Sequence, residues 1–581
     1  MHLNKGYNMD TTDLVENQIT NPDQPEPEGT GVTINTPYTS VNISYRLKEM
    51  AKQFPHKRAV VYPVGWDENG RVAYTHLTFM QLDRESDCLA HGLEHAGITR
   101  GTRTILMVKP SLEFFVITFA MLKTGAVPVI VDPGMGRKRM LECLEQTKAE
   151  AFIGIPTAHA FRCFYRASFK TVKAFVTVGR RWFWRGFTLK QLQSLSWDNY
   201  IPSETKPDEM AAILFTTGST GPAKGVVYTH GIFDAQVRHI QSNFNIGPDE
   251  VDLPTFPLFS LFDPALGMTA VIPDMDPTRP AMVDPEKIIE AIIDQGITNM
   301  FASPALLNRV GAYGKAEEIK LPSMKRVISA GAPVTPDNIE QFSHLLTENA
   351  EIFTPYGATE AMPVLSIGSR EILNETRKFS EKGYGMCVGR PVAGIIVKII
   401  KISDEPIENW SEKLTLGDGE IGEITVKGDI VTTQYYERPR DESLSKIKDK
   451  NGIWHRMGDL GWRDNKGRIW FCGRKSHRVI TENGSMFTIP CEAVFNRHPS
   501  VFRSALVGVG KPPNQKPVIC IELKKGIKDI DKDALKQELL NLAAKNQMTE
   551  DIKTLLFHEG FPVDVRHNSK IFREQLAEWA S

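Results

Sequence analysis

Length, composition and charge limit what this chain can be. Its 581 residues are enough for more than one domain with a large core. The net charge of −1 gives no electrostatic indication of a nucleic-acid partner, and seven scattered cysteines without a Cys-x-x-Cys pair predict a reduced, cytoplasmic protein without a metal–thiolate site. We expect neither a transmembrane segment nor a signal peptide, because the sequence lacks the apolar runs that both require.

The N-terminal half alternates between strand and helix patterns. Residues 1–40 are polar and Pro-rich and predict a disordered or loosely docked arm. Beyond a helical spacing at 41–51, the apolar patterns predict helices at 79–96 and 110–124 and strands at 58–62, 71–77, 103–108, 127–133, 151–155 and 172–178. This alternation is typical of a doubly wound α/β sheet, which binds ligands at the carboxyl ends of its strands.

Two short stretches, 161–166 and 180–185, combine arginines with aromatic residues. One interpretation is a surface hairpin whose rings pack on the body of the protein. The other is a contact with a partner or with a membrane surface. Stacking on nucleic acid would use the same residue types, but no other feature of the chain supports it.

The stretch 211–225 has the chemistry of a phosphate-binding loop. It begins as an apolar run, which predicts a buried strand, and continues into a loop in which Gly218 and Gly221 would let backbone N–H groups approach a phosphate. Hydroxyl donors and a positive charge come from Thr216, Thr217, Ser219, Thr220 and Lys224. The alternative is a flexible loop, and the spacing is not that of a Walker A motif.

This stretch resembles the signature loop of the adenylate-forming superfamily, which includes acyl-CoA synthetases, luciferases and peptide-synthetase adenylation domains. There the loop holds the β- and γ-phosphates of ATP while a substrate carboxylate attacks the α-phosphate. The resemblance covers nearly the whole chain. It implies a large N-terminal domain at 41–474, with doubly wound mixed or parallel sheets and a β-rich subdomain, and a small mobile α/β C-terminal lid domain at 477–581.

Two further motifs of this family would bind the adenine and phosphate groups. Gly331, Ala332 and Pro333 end the predicted strand 326–334 and would let a flat base lie against the backbone, although a plain strand-to-helix turn is the alternative. The stretch 353–360 resembles the family's YGxTE motif. It would supply an adenine-stacking ring, a close backbone approach, a phosphate-binding hydroxyl and a carboxylate for Mg²⁺ from Tyr356, Gly357, Thr359 and Glu360.

The ribose and the reacting groups would be held by residues nearer the C-terminus. Asp459, in a stretch that resembles the RTGD motif, would accept hydrogen bonds from both ribose hydroxyls. Arg474 resembles the arginine that reaches ribose or phosphate just before the hinge. Lys570 resembles the family's terminal lysine, which would offset the charge of phosphoryl transfer, while a solvated surface lysine is the alternative. The resemblance thus implies ATP and Mg²⁺ as cofactors, with Lys570, Glu360 and Thr217 as catalytic residues.

Three features depart from the pattern of a CoA ligase. Ser260, in the Phe-rich stretch 256–264, stands where thioester-forming members carry a histidine or an aromatic residue. The hinge 475–478 reads Lys-Ser-His-Arg instead of an acidic pair. The stretch 479–487 lacks the Gly-rich loop that lines the pantetheine tunnel. All three argue against CoA transfer.

The stretches 131–135, 256–268 and 473–479 resemble the β-lactone synthetases of olefin biosynthesis. This resemblance implies that a long-chain 2-alkyl-3-hydroxy acid is adenylated and that its own 3-hydroxyl then closes a β-lactone. The partners it implies are a multi-protein olefin-biosynthesis assembly or a peripheral membrane contact. The residues expected to bind the substrate are Phe259, Ser260, Phe262 and Asp263.

Two other functions stay open at this point. One is a long-chain fatty-acyl-CoA or fatty-acyl-AMP ligase. The other is a non-catalytic adenylate-binding scaffold, against which the presence of Lys224, Glu360, Asp459 and Lys570 argues. A general base for the 3-hydroxyl is not assigned, because the candidates His230, His477 and His567 are each also explained as structural histidines.

Overall fold

Three large β-sheets organise the part of the chain that the structure describes. A computed structural model of the protein describes residues 41–216, 223–256, 258–526, 531–563 and 571–581. Two of the large sheets have seven strands and the third has eight, and helices pack against them. The predicted α/β class is therefore confirmed, whereas the predicted arm at 1–40 lies outside the described residues.

The first sheet carries the strand that leads into the predicted phosphate loop. All its neighbouring strands are parallel except the last two, which form an antiparallel pair. In order across the sheet the strands are Phe187–Thr188, Ala174–Thr177, Ala151–Gly154, Arg103–Met107, Val127–Val131, Met210–Thr216 and Lys224–Thr229. Because Val131 pairs with Phe215, the carboxyl ends of these two strands lie side by side.

The second sheet contains strands that precede the first sheet in the sequence and strands that follow it. Its strands are parallel except for the hairpin at residues 58–78, which forms one edge. In order the strands are Glu351–Phe353, Arg326–Ser329, Asn299–Ala302, Val251–Pro254, Thr269–Val271, Arg58–Trp66 and Val72–Thr78. The predicted strands 58–62 and 71–77 therefore belong to this sheet, while those at 103–178 belong to the first.

The third sheet is antiparallel and corresponds to the predicted β-rich part. Its strands are Tyr356–Ala358, Ala361–Ser366, Met386–Pro391, Ile469–Arg474, Gly452–Arg463, Gly422–Lys427 and Ile396–Ile400, with Lys446–Asp449 paired to Gly452–Arg463. Residues 475–477 follow this sheet as a short 3₁₀ turn. The chain then enters the C-terminal region.

Helices cover the sheets, and two of them lie between the first and the second. Phe79–His95 and Leu112–Thr124 share one apolar core with strands of both sheets. Leu112–Thr124 is buried from Phe114 onwards, as expected for a helix that is apolar on all sides. The other helices before residue 475 are Ser44–Gln53, Arg137–Gln146, Pro156–Phe164, Leu189–Gln193, His230–Phe244, Asp263–Leu266, Pro285–Gln295, Pro304–Ala316, Pro336–Ser343, Ser369–Glu371, Arg377–Glu381 and Pro439–Ser445.

The C-terminal region has a core of its own. Strands Val501–Val509, Lys516–Leu523 and Thr554–Phe557 form a small sheet, and the strands Val479–Thr481 and Gly484–Met486 form a hairpin before it. The helices are Thr488–Asn496, Lys532–Ala544 and Arg573–Trp579. The apolar residues of this region cluster together, which agrees with the small α/β unit predicted from 477 onwards. The division into two domains stays a prediction.

The two basic aromatic stretches do not form the hairpin that was one of their predicted interpretations. Residues 161–164 end the helix Pro156–Phe164, which Pro156 begins at its first turn, where a proline is well tolerated. Residues 180–186 form a loop instead. Within the described ranges, no helix has both the length and the apolar character that crossing a membrane requires.

Candidate active site

A cavity of about 1690 Å³ lies where parallel strands of the first and second sheets end and the third sheet begins. Its wall contains residues that follow the strands Val127–Val131, Asn299–Ala302 and Arg326–Ser329, as expected for a ligand site at the carboxyl ends of strands. Eleven predicted site residues line it, namely Lys224, Phe259, Gly331, Ala332, Pro333, Tyr356, Gly357, Thr359, Glu360, Asp459 and Arg474.

Part of the predicted phosphate loop and the predicted terminal lysine lie outside the described residues. These are Thr217, Gly218, Ser219, Thr220, Gly221 and Lys570. Thr216 is described and is the last residue of its strand. It pairs with Lys224 on the returning strand, so both ends of the loop start from the same edge of the first sheet.

Asp459 lies at the centre of the predicted nucleotide site. The hydroxyl of Tyr356 donates a hydrogen bond of 2.6 Å to Asp459 Oδ2, and Arg474 Nη1 lies 3.1 Å from Asp459 Oδ1. Burial raises the pKa of Asp459, and the Arg474 guanidinium acts in the opposite direction. Burial and Asp459 hold the pKa of Tyr356 well above its usual range, so that its hydroxyl stays a donor. The structure therefore joins three predicted residues through one hydrogen bond and one ion pair.

The turn at 331–333, which was predicted to bind adenine, contains a glycine in a backbone conformation that favours glycine. Gly331 has φ +91°, a conformation that residues with a side chain rarely adopt. Gly331 and Ala332, which carries only a methyl group, line the same cavity as Tyr356. A planar base can therefore approach this backbone closely.

We expect Tyr356→Phe to raise KM for ATP about fivefold, because the lost hydrogen bond to a charged group is worth about 1 kcal/mol while the ring that would stack on adenine remains. The measurement is acid-dependent pyrophosphate release at increasing ATP concentration. Tyr313→Phe is the matched control, since Tyr313 donates a 2.8 Å hydrogen bond to exposed Glu286. Equal KM values for both variants would remove Tyr356 from the nucleotide site.

Glu360 and Lys224 meet at a residue that the sequence analysis missed. The hydroxyl of Tyr435 donates a 2.7 Å hydrogen bond to Glu360 Oε1, and Lys224 Nζ lies 5.1 Å from the centroid of the Tyr435 ring. Lys224 Nζ also lies 3.1 Å from Asp441 Oδ1. The arrangement brings a carboxylate and a cation to the same part of the cavity, where both contact Tyr435.

The carboxylate of Glu360 fits the needs of a magnesium ion. Mg²⁺ prefers oxygen ligands, and proteins usually hold it through one or two carboxylates together with substrate phosphates. Tyr435 occupies one oxygen of Glu360, and the residue lines the cavity. In the ranges that the structure describes, no group of three His, Cys, Asp or Glu side chains forms a metal site.

Two buried bases lie behind Glu360. Lys446 Nζ donates to the carbonyl of Thr432, and burial lowers the pKa of this lysine to about 7. His455 lines the cavity, and burial together with Lys446 keeps its pKa well below the usual range. Sequence reasoning missed Lys446, because a lysine in a polar stretch is most often a solvated residue.

Two residues of the predicted hinge at 475–478 pair with carboxylates from earlier in the chain. Lys475 Nζ lies 3.0 Å from Glu423 Oε1, and Glu423 also pairs with Arg456 at 2.6 Å in a fully buried contact. The Arg478 guanidinium pairs with Asp404. The basic residues that replace the usual acidic pair are therefore matched by acidic partners, which no local pattern in the sequence indicated.

The Phe-rich stretch forms an aromatic wall of the cavity. The centroid of the Phe259 ring lies 4.2 Å from that of Phe301 and 5.5 Å from that of Phe256. All three residues line the cavity. Phe262 instead packs against Phe233 in the core. Of the residues predicted to bind substrate, Phe259 is the one that lines the cavity. Phe301 also lines the cavity but was not predicted.

Ser260 and Asp263 are buried beside this wall, and neither is among the described residues that line the cavity. Asp263 pairs with Asp252, which accepts a hydrogen bond from Asn299. Burial raises the pKa of Asp252 to about 7, and burial next to Asp252 raises the pKa of Asp263 well above its usual value. Since two carboxylates in contact cannot both stay charged, this pair retains a proton near neutral pH.

Of the three candidate histidines, His477 is the one that the structure places at the cavity. Burial and the neighbouring Arg573 and Arg474 lower its pKa to about 3, so its ring is neutral near pH 7. His230 is buried at the start of its helix, and burial lowers its pKa to about 4. His567 lies outside the described residues.

Solved structures of two other proteins share this architecture. The amide bond synthetase McbA from Marinactinospora thermotolerans matches with a TM-score of 0.73 and 20% identity, over 93% of this chain and 100% of that chain. ATP-bound MatB from Rhodopseudomonas palustris matches with a TM-score of 0.75 and 18% identity over the same shares. These likenesses establish the fold.

Sequence comparison identifies the family. A family model for AMP-binding enzymes matches residues 47–436. The olefin beta-lactone synthetase of Xanthomonas campestris pv. campestris is 45% identical over 94% of this chain and 98% of that protein, and that of Stenotrophomonas maltophilia is 47% identical over 93% and 98%. The resemblance inferred from the motifs is confirmed: the chain belongs to the AMP-binding enzyme family and, within it, to the group that contains the olefin beta-lactone synthetases.

Proposed function

We propose that the protein uses ATP to convert a long-chain 2-alkyl-3-hydroxy acid into an acyl-adenylate, which its own 3-hydroxyl closes to a β-lactone. The observation that carries this proposal is a single cavity that joins the nucleotide residues to an aromatic wall. The names of the relatives support the same reaction. ATP and the acid would meet at the boundary between the polar and the apolar parts of this cavity.

The polar part of the cavity would bind ATP. Tyr356 and Gly331 would hold the adenine, Asp459 the ribose hydroxyls, and Lys224 the phosphates. The remaining proposed nucleotide contacts are those of Thr216, Gly218, Ser219, Thr220, Gly221, Ala332, Pro333, Gly357, Thr359 and Arg474. Thr217 and Lys570 would act on the reacting phosphate, and Glu360 would hold Mg²⁺, which supplies charge neutralisation when bound.

The apolar part would bind the alkyl chains. Phe259 and Phe301 offer ring surface for them, and the remaining proposed contacts of Ser260, Phe262 and Asp263 would act from behind this wall. An intramolecular hydroxyl is a nucleophile with an effective concentration of about 10⁵ M or more, so the second step needs no CoA and no thiol tunnel. In lactone closure the 3-hydroxyl oxygen bonds to the acyl carbon, AMP leaves with the electron pair of the acyl–phosphate bond, and the hydroxyl proton passes to solvent.

We also propose how the chain is organised and where it works. Residues 41–474 and 477–581 would move as two domains about the hinge at 475–478. All seven cysteines are unpaired, which supports a reducing, cytoplasmic environment. A multi-protein olefin-biosynthesis assembly would consume the lactone, because a strained four-membered ester is best passed on before water opens it.

Product analysis tests the reaction. Purified protein is given MgATP and a synthetic 2-alkyl-3-hydroxy fatty acid, with and without CoA, and the products are identified by NMR. We expect β-lactone in both cases, and pyrophosphate without lactone from the matched acid that lacks the 3-hydroxyl. Thioester formed only with CoA would establish a ligase instead. No pyrophosphate from any acid, with ATP still bound, would establish a scaffold.

A further inference from the structure

Three aromatic side chains project into solvent near the far edge of the first sheet. Phe164 is 85% exposed, Phe183 is 80% exposed and Trp182 is 51% exposed. Between them Trp184 is buried: its ring stacks on His159 with centroids 5.0 Å apart, and its Nε1 donates a 2.8 Å hydrogen bond to Thr177. Trp184 therefore anchors the loop to the protein, while the neighbouring rings of Trp182 and Phe183 stay exposed to solvent.

The stretch of sequence that carries these rings contains basic residues and no acidic ones. Residues 151–197 contain no Asp or Glu and eight basic residues, namely Arg162, Arg166, Lys170, Lys173, Arg180, Arg181, Arg185 and Lys190. No ion pair links any of the eight to a carboxylate of the described residues. This stretch has a formal charge of +8 within a chain whose net charge is −1, so it forms a local basic region that attracts anions.

The guanidinium groups cluster instead of spreading over the surface. The guanidinium carbons of Arg162 and Arg185 lie 4.2 Å and 5.7 Å from the centroid of the same Phe175 ring. Arg166 and Arg185 act together with burial to lower the pKa of Arg162, which places all three near one another. Like charges held this close repel one another, and an anion bound beside them would offset that repulsion.

We propose that this basic aromatic surface, formed by the end of the helix Pro156–Phe164 and the loop 180–187, docks on an anionic lipid bilayer. Aromatic rings partition into the headgroup region of a membrane, and arginines around them bind lipid phosphates. The pattern favours a bilayer over a protein partner, because exposed rings on a strongly basic segment suit insertion between anionic headgroups, whereas a protein interface presents a packed apolar centre.

The surface adjoins the cavity, so docking would bring the cavity close to the membrane. Thr157, Ala158 and Phe161 line the cavity, and Phe164 projects from the end of the same helix less than one turn further on. This step rests on the proposed function: an acid with two long alkyl chains partitions into a bilayer. A protein docked by this surface would hold its apolar cavity wall near the membrane from which such an acid is taken.

Vesicle sedimentation tests the docking without ATP or acid, so its failure is separate from a failure of the proposed function. We expect the full chain to pellet with vesicles of phosphatidylcholine and phosphatidylglycerol, to stay in solution with phosphatidylcholine alone, and to be released as salt increases. W182A/F183A and R166E/R180E should each weaken the partitioning by about tenfold or more. Arg181 is left in place because it donates to the Gly186 carbonyl.

The matched control is R497E/F502A, which changes an exposed arginine and a 55% exposed ring in the C-terminal region. It should bind vesicles as the wild type does. Two results would overturn the proposal: wild-type protein that ignores anionic vesicles, including the case in which the same residues capture a protein partner instead, and equal loss of binding in the control. Pyrophosphate release with a short, water-soluble 3-hydroxy acid shows that each variant is folded.

Discussion

Replacing Glu360 with glutamine is expected to lower acid-dependent pyrophosphate release at least about a hundredfold. Glutamine keeps the shape of the side chain and an oxygen that accepts the hydrogen bond from Tyr435. It loses the negative charge that would hold Mg²⁺ against the phosphates of ATP. The loss should therefore appear in kcat and in the magnesium concentration needed for half-maximal rate, with little change in folding.

The control for this prediction is Glu348→Gln, which changes an exposed carboxylate outside the cavity. It should leave the rate and the magnesium dependence as they are in the wild type. Pyrophosphate release by the Glu360 variant at the wild-type rate, with the same magnesium dependence, would show that this carboxylate does not hold the ion. Thermal unfolding of both variants excludes a loss of structure as the cause.

The fold was predictable where local apolar patterns decide it. The run at 103–108 gave the strand Arg103–Met107, and the run at 110–124 gave the helix Leu112–Thr124, whose start moves because the Ser111 hydroxyl accepts a hydrogen bond from Phe114 N. Family motifs were equally informative: Tyr356, Asp459 and Arg474, which are far apart in sequence, meet in one group. Their assembly follows from the motifs and not from periodicity.

The parts that could not be predicted depend on contacts between distant segments. Glu423 and Lys475 are 52 positions apart, and no local sequence pattern around either residue predicts that they pair. Tyr435 reaches Glu360 across 75 positions. Ser260 was predicted to bind substrate because it stands at the motif position where thioester-forming members carry a histidine or an aromatic residue, but a short helical turn at 259–261 directs it into the protein. Alternation along a loop does not specify which side faces a cavity.

Removing the charge of Glu423 should destabilise the third sheet by about 3–5 kcal/mol. Glu423 and Arg456 are each 1% exposed, and their side chains lie 2.6 Å apart. In Glu423→Gln the Arg456 guanidinium keeps its backbone acceptors but loses its buried counter-ion. We expect faster hydrogen exchange in the strand Gly452–Arg463, which carries Arg456, and a lower urea midpoint for the transition that exposes its tryptophans.

The control for this prediction is an exposed ion pair whose arginine lies on the same strand. Asp418→Asn removes the partner of Arg463, an ion pair of similar length at 2.6 Å whose side chains are 44% and 47% exposed, and it should cost less than about 1 kcal/mol. Equal losses in the two variants would mean that burial does not decide the strength of these pairs. Because Glu423 also holds Lys475, its variant should speed exchange at the hinge 475–478 as well. Faster exchange there alone would confine the role of Glu423 to the hinge and contradict its role in the sheet.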